Sequence, residues 1–311
     1  MGRRRQKTDP RQLDGLLVLN KPSGPTSAGC LGDIKHQLGQ YKIGHAGTLD
    51  PMAQGVLLVL LGQATKIAPY LSEDSKTYLG EFRLGIRTDT YDIEGEILEE
   101  LPVDVTEEQV RKAILTWQDL TEQDVPAYSA AKHKGKPLYS LARAGEEVPV
   151  KTKTITIHAA EMLDVTLPVA RFRVRCSTGT YIRSLVHSLG MRLGCGAVLT
   201  ALTREESSPF RLDQAHSLAD VLSEPERFGE KVIPLADALP HWAKHHLTEP
   251  LDGLVRNGTW LPVNEVPGKL LFGFRDEQAM LLAPDGQPLA LVQATLRDGQ
   301  LKWAILRGLW A

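Results

Sequence analysis

Gly44-His-Ala-Gly-Thr-Leu-Asp-Pro-Met-Ala-Gln-Gly-Val-Leu57 runs without a break into Leu58-Val-Leu-Leu61. The first half is irregular, with glycines and polar groups that suit a loop. The second half contains the longest fully apolar run of the chain, Val56 to Leu61, far short of the roughly 20 residues needed to cross a bilayer. It predicts a buried strand. A loop held by buried structure can carry chemistry. Asp50 stands in that loop before Pro51, where an aspartate by itself reads as a turn former.

Outward from this stretch, Leu16 to Leu19 read as a second short buried strand. Pro22, Gly24 and Pro25 then make a loop, and Thr26 or Ser27 can cap a helix whose apolar face is Leu31, Ile34 and Leu38. From Thr77 the pattern alternates, with Tyr78, Gly80, Phe82 and Leu84 on one face of a strand. Ala170, Phe172, Val174 and Cys176 alternate with Arg171, Arg173 and Arg175, so a further strand carries one apolar and one basic face that needs an anion or solvent. The turn Ser177-Thr-Gly-Thr follows, with Thr178 or Thr180 as the expected cap. Ile182, Leu185, Val186, Leu189 and Leu193 then fall on one helix face, and Gly194 ends that helix. Tyr181 and Arg183 sit in its first turn, where free backbone donors and the positive dipole end favour an anion.

The 311 residues exceed what one small core needs and predict a large domain with a small companion. Hydrophobic residues at 42% and charged residues at 24% are ordinary globular values, which excludes a disordered, collagenous or coiled-coil chain. The net charge of -2 hides a segregation: acids crowd Asp92 to Glu108, and bases crowd Arg3 to Arg11, Lys132 to Lys153 and Arg171 to Arg183. Residues 1–14 read as a basic arm without the apolar stretch of an export signal. The segment 104–152 reads as an insertion: an amphipathic helix over Thr106 to Trp117, then Lys132, His133, Lys134 and Lys136 beside Tyr128 and Tyr139, a mixture that suits a nucleic-acid backbone. After Pro240 short apolar runs (Leu270 to Phe274, Met280 to Leu282, Leu289 to Val292, Trp303 to Leu306) alternate with Pro284-Asp-Gly and Arg297-Asp-Gly turns, predicting a small β-barrel.

Several chemistries lose support at once. The three cysteines, Cys30, Cys176 and Cys195, show no zinc-ligand spacing, and a reducing cytosol suits them. There is no phosphate loop, dinucleotide fingerprint, nucleophile elbow or His-Glu-x-x-His pair. The acidic string Asp89, Asp92, Glu94, Glu96 lacks the spacing of a calcium loop and reads as a solvated turn.

The stretch around Asp50 closely resembles the TruB family of tRNA pseudouridine(55) synthases. The resemblance continues through Leu19-Asn-Lys-Pro-Ser-Gly-Pro-Thr-Ser, Ala64-Thr-Lys, Lys76-Thr-Tyr, Leu84-Gly-Ile-Arg-Thr-Asp-Thr, Tyr128-Ser-Ala-Ala-Lys and Ser177-Thr-Gly-Thr-Tyr-Ile-Arg-Ser, covering nearly all of Leu16 to Ala238. It implies that Asp50 is the catalytic aspartate, filling the Asp of the family's Gly-His-x-Gly-x-Leu-Asp-Pro motif. It also implies the reaction: the uridine N1 to C1′ bond breaks, the base turns in the pocket, and C5 joins C1′, with no metal and no cofactor. The carboxylate can act as a nucleophile on the sugar or as a base that starts elimination. Arg183 is implied as its ion-pair partner. Tyr78 resembles the tyrosine that stacks on the extruded uracil, Tyr181 the aromatic and Leu202 the leucine of the pocket wall. His45 resembles the histidine that fills the stack vacated by the flipped nucleotide, and Lys66 is a candidate for backbone phosphate.

Arg87-Thr-Asp89-Thr resembles the catalytic motif of a different pseudouridine synthase family, but the longer match around Asp50 decides against it. Leu202-Thr-Arg-Glu stands where Leu-Arg-Arg is common, and Asp124-Val-Pro where two prolines are usual, which bears on the grip on RNA.

The resemblance therefore implies an α+β fold: a mixed, largely antiparallel sheet flanked by helices over 15–240, a thumb-like insertion over about 104–152, and a PUA-like RNA-binding barrel over 246–311. It implies a cytoplasmic monomer acting on the T stem-loop of tRNA, with no membrane and no obligate protein partner, and with a possible part in tRNA folding. The competing reading is a non-catalytic RNA-binding or RNA-folding protein on the same surface. A further rival is the same chemistry on rRNA or under a guide RNA, which the lack of long basic extensions disfavours.

Overall fold

The structure is a computed structural model that describes residues 12–72, 75–267 and 276–310. The first eleven residues of the basic arm and the apolar run Leu270 to Phe274 lie outside the described residues. The strand Gln54–Leu61 is buried along Val56 to Leu61, and its alternation sends Leu57, Val59 and Leu61 into one hydrophobic cluster and Val56, Leu58 and Leu60 into another. The neighbouring strand Gly15–Lys21 divides in the same way, with Leu17 and Leu19 on one side and Leu16 and Val18 on the other. A strand covered on both faces has no position to spare for a polar residue, which is why the run is continuous rather than alternating.

These two strands sit inside a ten-stranded sheet. Its main path runs Ile157–Thr166, Val169–Cys176, Lys76–Leu84, Ala197–Ser207, Gln54–Leu61, Gly15–Lys21, His216–Ser217. Neighbours along this path are antiparallel except at two places: Ala197–Ser207 beside Gln54–Leu61, and Gly15–Lys21 beside His216–Ser217. The mixed, largely antiparallel sheet flanked by helices is the expected fold class. At the first parallel junction only Thr203 and Arg204 register with Gln54 and Gly55, so the sheet is open on either side of a short seam. Gly55 holds φ +103 there, and a Cβ on it would run into the Arg204 backbone.

The helix Ser27–Leu38 is capped by Thr26, whose hydroxyl accepts from the Gly29 amide at 2.9 Å, and ends on Gly39 at φ 68. The helix Ile182–Leu193 ends on Gly194 as expected, but its N-cap is Tyr181 rather than Thr178 or Thr180. Thr180 turns its hydroxyl back to the Ser177 carbonyl at 2.9 Å, and the amide of Tyr181 donates instead to Gln123 Oε1 at 2.5 Å. The entry to this helix is thus tied to the 104–152 segment.

That segment is not uniform. Its helix Glu107–Leu115 opens with a reciprocal capping box between Thr106 and Gln109, and Val110, Ile114 and Trp117 are wholly buried in the main core. Trp117 meets Phe172 edge-on, with ring centroids 5.0 Å apart. The apolar stripe of this amphipathic helix therefore belongs to the layer that covers the sheet. Beyond it, Glu122–Asp124 pairs antiparallel with Thr152–Thr154, and this ribbon forms the root of an arm carrying a two-residue hairpin, Lys132–His133 with Lys136–Pro137, and the short helix Leu138–Arg143.

The tail forms a separate five-stranded sheet among the described residues, in the order Ala243–His246, Gln278–Leu282, Pro288–Arg297, Gln300–Gly308, Leu261–Pro262. Alternation again splits its side chains: Ala279, Leu281 and Trp303 fill its own core, while Met280, Leu282 and Leu291 join Trp242 in the cluster that also holds Val56 and Leu58 of the large sheet. Among the described residues no helix is long and apolar enough to cross a membrane.

Replacing Trp117 by Ala removes a full-sized core side chain. We expect Trp117→Ala to lower unfolding free energy in urea by about 3–5 kcal/mol, whereas truncation of an arm residue would change it little.

Candidate active site

The loop carrying Asp50 is pinned from below by the segment that follows the Gly15–Lys21 strand. Lys21, wholly buried, donates from Nζ to the carbonyls of Pro22, Pro51 and Ala53 at 2.8, 3.1 and 2.7 Å. Burial pushes its pKa down, and the negative charge of Asp50 nearby counters part of that. The Ser27 hydroxyl closes a pair of bonds with Leu49, accepting from its amide at 2.9 Å and donating to its carbonyl at 3.0 Å. Ser23 donates to Met52 O, and the Gly24 amide to Pro51 O. A turn so heavily bonded has little freedom to move the carboxylate it presents.

Arg183 meets that carboxylate end to end. Its Nε donates to Asp50 Oδ2 at 2.9 Å and its Nη2 to Asp50 Oδ1 at 3.0 Å, the planar fork that only arginine offers. The remaining donors reach backbone: Nη1 to Thr90 O at 2.8 Å, and Nη2 also to Tyr128 O at 2.9 Å. Asp92 Oδ2 lies 3.6 Å from Nε on the other side. The side chains of Arg183 and Asp92 are 5% and 8% exposed, whereas that of Asp50 is 37% exposed. The guanidinium and Asp92 are therefore structural depth, and Asp50 is the member that faces outward.

It faces a cavity of about 430 Å³ lined by Asp50, Tyr78, Tyr181, Arg183, Leu202 and Arg204, with Lys76 and Thr178 to Thr180 on one flank and Ser129 to Ala131 of the arm on the other. That volume lies in the range of small-ligand sites, about 300–1,000 Å³. Strand register explains the gathering: Arg204 stands opposite Tyr78 and Leu202 opposite Gly80, while Thr203 and Arg204 pair with Gln54 and Gly55 just beyond the Asp50 loop. Arg204, only 1% exposed, donates from Nε to Val56 O at 2.6 Å and from Nη2 to Gly47 O at 2.9 Å, tying strand to loop. Burial raises the pKa of the Tyr78 phenol, against a hydrogen bond from Arg204 that lowers it, so the phenol stays protonated at neutral pH.

Five of the residues singled out in the sequence thus share one cavity: Asp50, Tyr78, Tyr181, Arg183 and Leu202. His45 and Lys66 do not line it. His45 lies on the strand Ile43–Ala46, half-buried, with Nδ1 buried and unbonded among the described residues; burial and then Arg204 lower its pKa, so the ring is neutral. Lys66 lies farther along the chain and donates to the Trp310 carbonyl at 2.7 Å.

Asp92 corrects the reading of the acidic string as a solvated turn. It is buried, accepts from the Thr90 hydroxyl at 2.7 Å and the Glu94 amide at 3.1 Å, and its pKa is raised chiefly by that burial. Sequence spacing carries no sign of this, since only folding brings residue 92 beneath residue 183. The basic face of Val169–Cys176 is also partly satisfied from within, Arg173 donating to Glu205 at 2.8 Å and Arg175 to Ser75 at 3.1 Å.

Cys176 sits beneath Lys76, and burial pushes its thiol up to about 11 from an ordinary 9.0. The folded chain holds a proton that the unfolded chain releases, so stability should fall as pH rises from about 9 to about 11. At pH 8 we expect iodoacetamide to spare Cys176 in the native protein and to alkylate it in urea, as mass spectrometry of the peptide would show.

Comparison with known proteins identifies the family and the fold. A model of the TruB family pseudouridylate synthase N-terminal domain matches residues 35–182. A tRNA pseudouridine synthase B of Nitratidesulfovibrio vulgaris (strain DSM 19637 / Miyazaki F) is 56% identical over 305 residues, covering 97% of this chain and 98% of its own. Another of Oleidesulfovibrio alaskensis is 58% identical over 301 residues, covering 96% and 97%. A solved structure of a Cbf5-Nop10-Gar1 complex shares the fold, with a TM-score of 0.72 at 24% identity over 99% of this chain and 92% of that one. Sequence and architecture together place the chain in the TruB family of pseudouridylate synthases.

Proposed function

We propose that the chain isomerises uridine 55 in the T loop of tRNA to pseudouridine, with Asp50 as the catalytic residue. The observation that carries this is the Asp50 carboxylate, held bidentately by a buried arginine and open to a nucleoside-sized cavity walled by Tyr78, Tyr181 and Leu202. The uridine must leave its stack to reach such a cavity, which favours a splayed loop over a paired stem. Inside, an Asp50 oxygen meets the ribose, either attacking C1′ or removing a sugar proton. In both routes the glycosidic electrons pass to the uracil ring. The detached base turns and C5 bonds to C1′: in the nucleophilic route the Asp50 oxygen leaves C1′ as this bond forms, and in the elimination route the sugar proton returns from Asp50. The C5 proton then leaves and N1 takes up a proton, so the product is an isomer of the substrate.

Tyr78 supplies a flat apolar face on which the base stacks and, as in the tyrosine it resembles, would help the later proton removal at C5. Tyr181 and Leu202 limit how the loosened ring can turn. Arg183 keeps the carboxylate aligned by occupying the lone pairs on its far side. The arm over residues 121–152, with Lys132, Lys134 and Lys136 exposed, and the C-terminal sheet would supply the grip on RNA. His45 would act outside the cavity, in the stack that the extruded base vacates, and Lys66 on backbone phosphate. We further propose a cytoplasmic monomer that needs no protein partner.

Two outcomes test this. Asp50→Asn should bind an unmodified tRNA transcript with affinity within about threefold of the parent and form no pseudouridine by carbodiimide-dependent primer extension; full turnover would overturn the assignment. Binding should weaken steeply between 50 and 200 mM salt, by about 10³-fold or more if six phosphates are contacted, as filter binding over a salt series would measure. A protein that only folds RNA would retain its cellular role with asparagine at position 50.

A further inference from the structure

We propose that a ring stack between Tyr91 and His187 is a positioning device for the Asp50–Arg183 pair, holding the bend Thr90 to Asp92 so that the guanidinium meets the carboxylate in one orientation. This rests on the roles given above to Asp50 and Arg183.

Three consecutive residues divide the work. The Thr90 carbonyl accepts from Arg183 Nη1 at 2.8 Å, and the Asp92 carboxylate lies 3.6 Å from Arg183 Nε. Between them the Tyr91 ring lies face to face on the His187 ring, with centroids 3.8 Å apart and planes 11° from parallel. Tyr91 holds φ 67, a left-handed conformation that a bulky side chain rarely adopts and that persists only where its surroundings favour it. Two contacts do so here: the stack, and the Leu199 amide donating to the Tyr91 carbonyl at 3.1 Å.

His187 follows Arg183 by one turn of the helix Ile182–Leu193, so both project toward the same side of that helix. The helix therefore grips the bend at two points, the guanidinium and the imidazole. On its other side the bend is tied to Leu199, whose amide donates to Tyr91 O at 3.1 Å and whose carbonyl accepts from the Ile93 amide at 2.9 Å; without the stack, the guanidinium alone would hold it to the helix. With both, its distance and its angle are set together. The imidazole is used through its face: Nδ1 is buried and unbonded among the described residues, and burial, then the nearby Arg87 charge, keeps the ring neutral. Neither ring lines the cavity, so neither is placed to touch the substrate.

The test compares His187→Ala, Tyr91→Ala and Tyr91→Phe in the full chain, measuring the single-turnover rate on a saturating tRNA transcript, the Kd for that transcript and the melting temperature. Both alanine variants should lose about ten- to a hundredfold in rate, the scale of an ångström-sized misplacement, with Kd within about twofold of the parent. Tyr91→Phe, which keeps the stacking face, should retain the rate. The double alanine variant should be no slower than the slower single one, because both remove the same contact.

If Tyr91→Ala does not fold, His187→Ala decides the matter alone, since alanine is the residue a helix accepts most readily. A folded His187→Ala with the parent rate, a loss confined to Kd, or a rate that falls only with the folded fraction would each overturn the proposal. Asp50→Asn, run alongside, separates the failures. Turnover by that variant removes the reading of the site, whereas an inert Asp50→Asn with a fully active His187→Ala removes the stack alone.

Discussion

A guanidinium buried to 5% exposure cannot stand uncompensated, and the rest of the site is the answer to that constraint. Arg183 spends its donors on two oxygens of Asp50, two backbone carbonyls and the neighbourhood of Asp92. These acceptors arrive from three parts of the chain: the loop before the central strand, the bend at Thr90 to Asp92, and the arm at Tyr128. A single planar cation thereby aligns three segments that share no local sequence. Since its hydrogens lie in one plane, an error in any of the three weakens the bonds to the others.

The sheet makes this convergence possible. Where Ala197–Ser207 turns from its antiparallel partner Lys76–Leu84 to a brief parallel contact with Gln54–Leu61, the layer opens, and the Asp50 loop emerges beside the opening. Arg204 closes the back of the gap with bonds to Val56 and Gly47, and Lys21 closes the underside with three carbonyls. Two buried cations, each bonded mostly to backbone oxygen, thus hold the loop without competing for the carboxylate. The arrangement leaves Asp50 partly solvent-facing while Arg183, Asp92, Lys21 and Arg204 behind it are buried.

Much of the fold is legible in the chain because it depends on period and local chemistry. The unbroken run Val56 to Leu61 marks a buried strand, the alternation from Tyr78 to Leu84 marks another, and Thr26 and Gly194 mark helix ends. The reading was weaker where one pattern fits two settings. An amphipathic helix such as Glu107–Leu115 looks the same whether its apolar face meets the core or a partner, and here Val110, Ile114 and Trp117 meet the core. The expected caps Thr178 and Thr180 gave way to Gln123, a residue from across the molecule.

Sequence by itself named the candidates: Asp50, Arg183 and Tyr78 stand out because the stretches that carry them resemble the motifs of the TruB family. A motif is a property that persists in an extended chain. Only the tertiary structure decided who stands behind them. Asp92 reads as one acid among several until folding buries it against Arg183, and Arg204, met in sequence only within Leu202-Thr-Arg-Glu as a matter of RNA grip, proves to bond the Asp50 loop from inside. Burial and partner geometry arise from contacts between residues far apart in the chain, and no local pattern encodes the dielectric or the neighbour that a charge will meet.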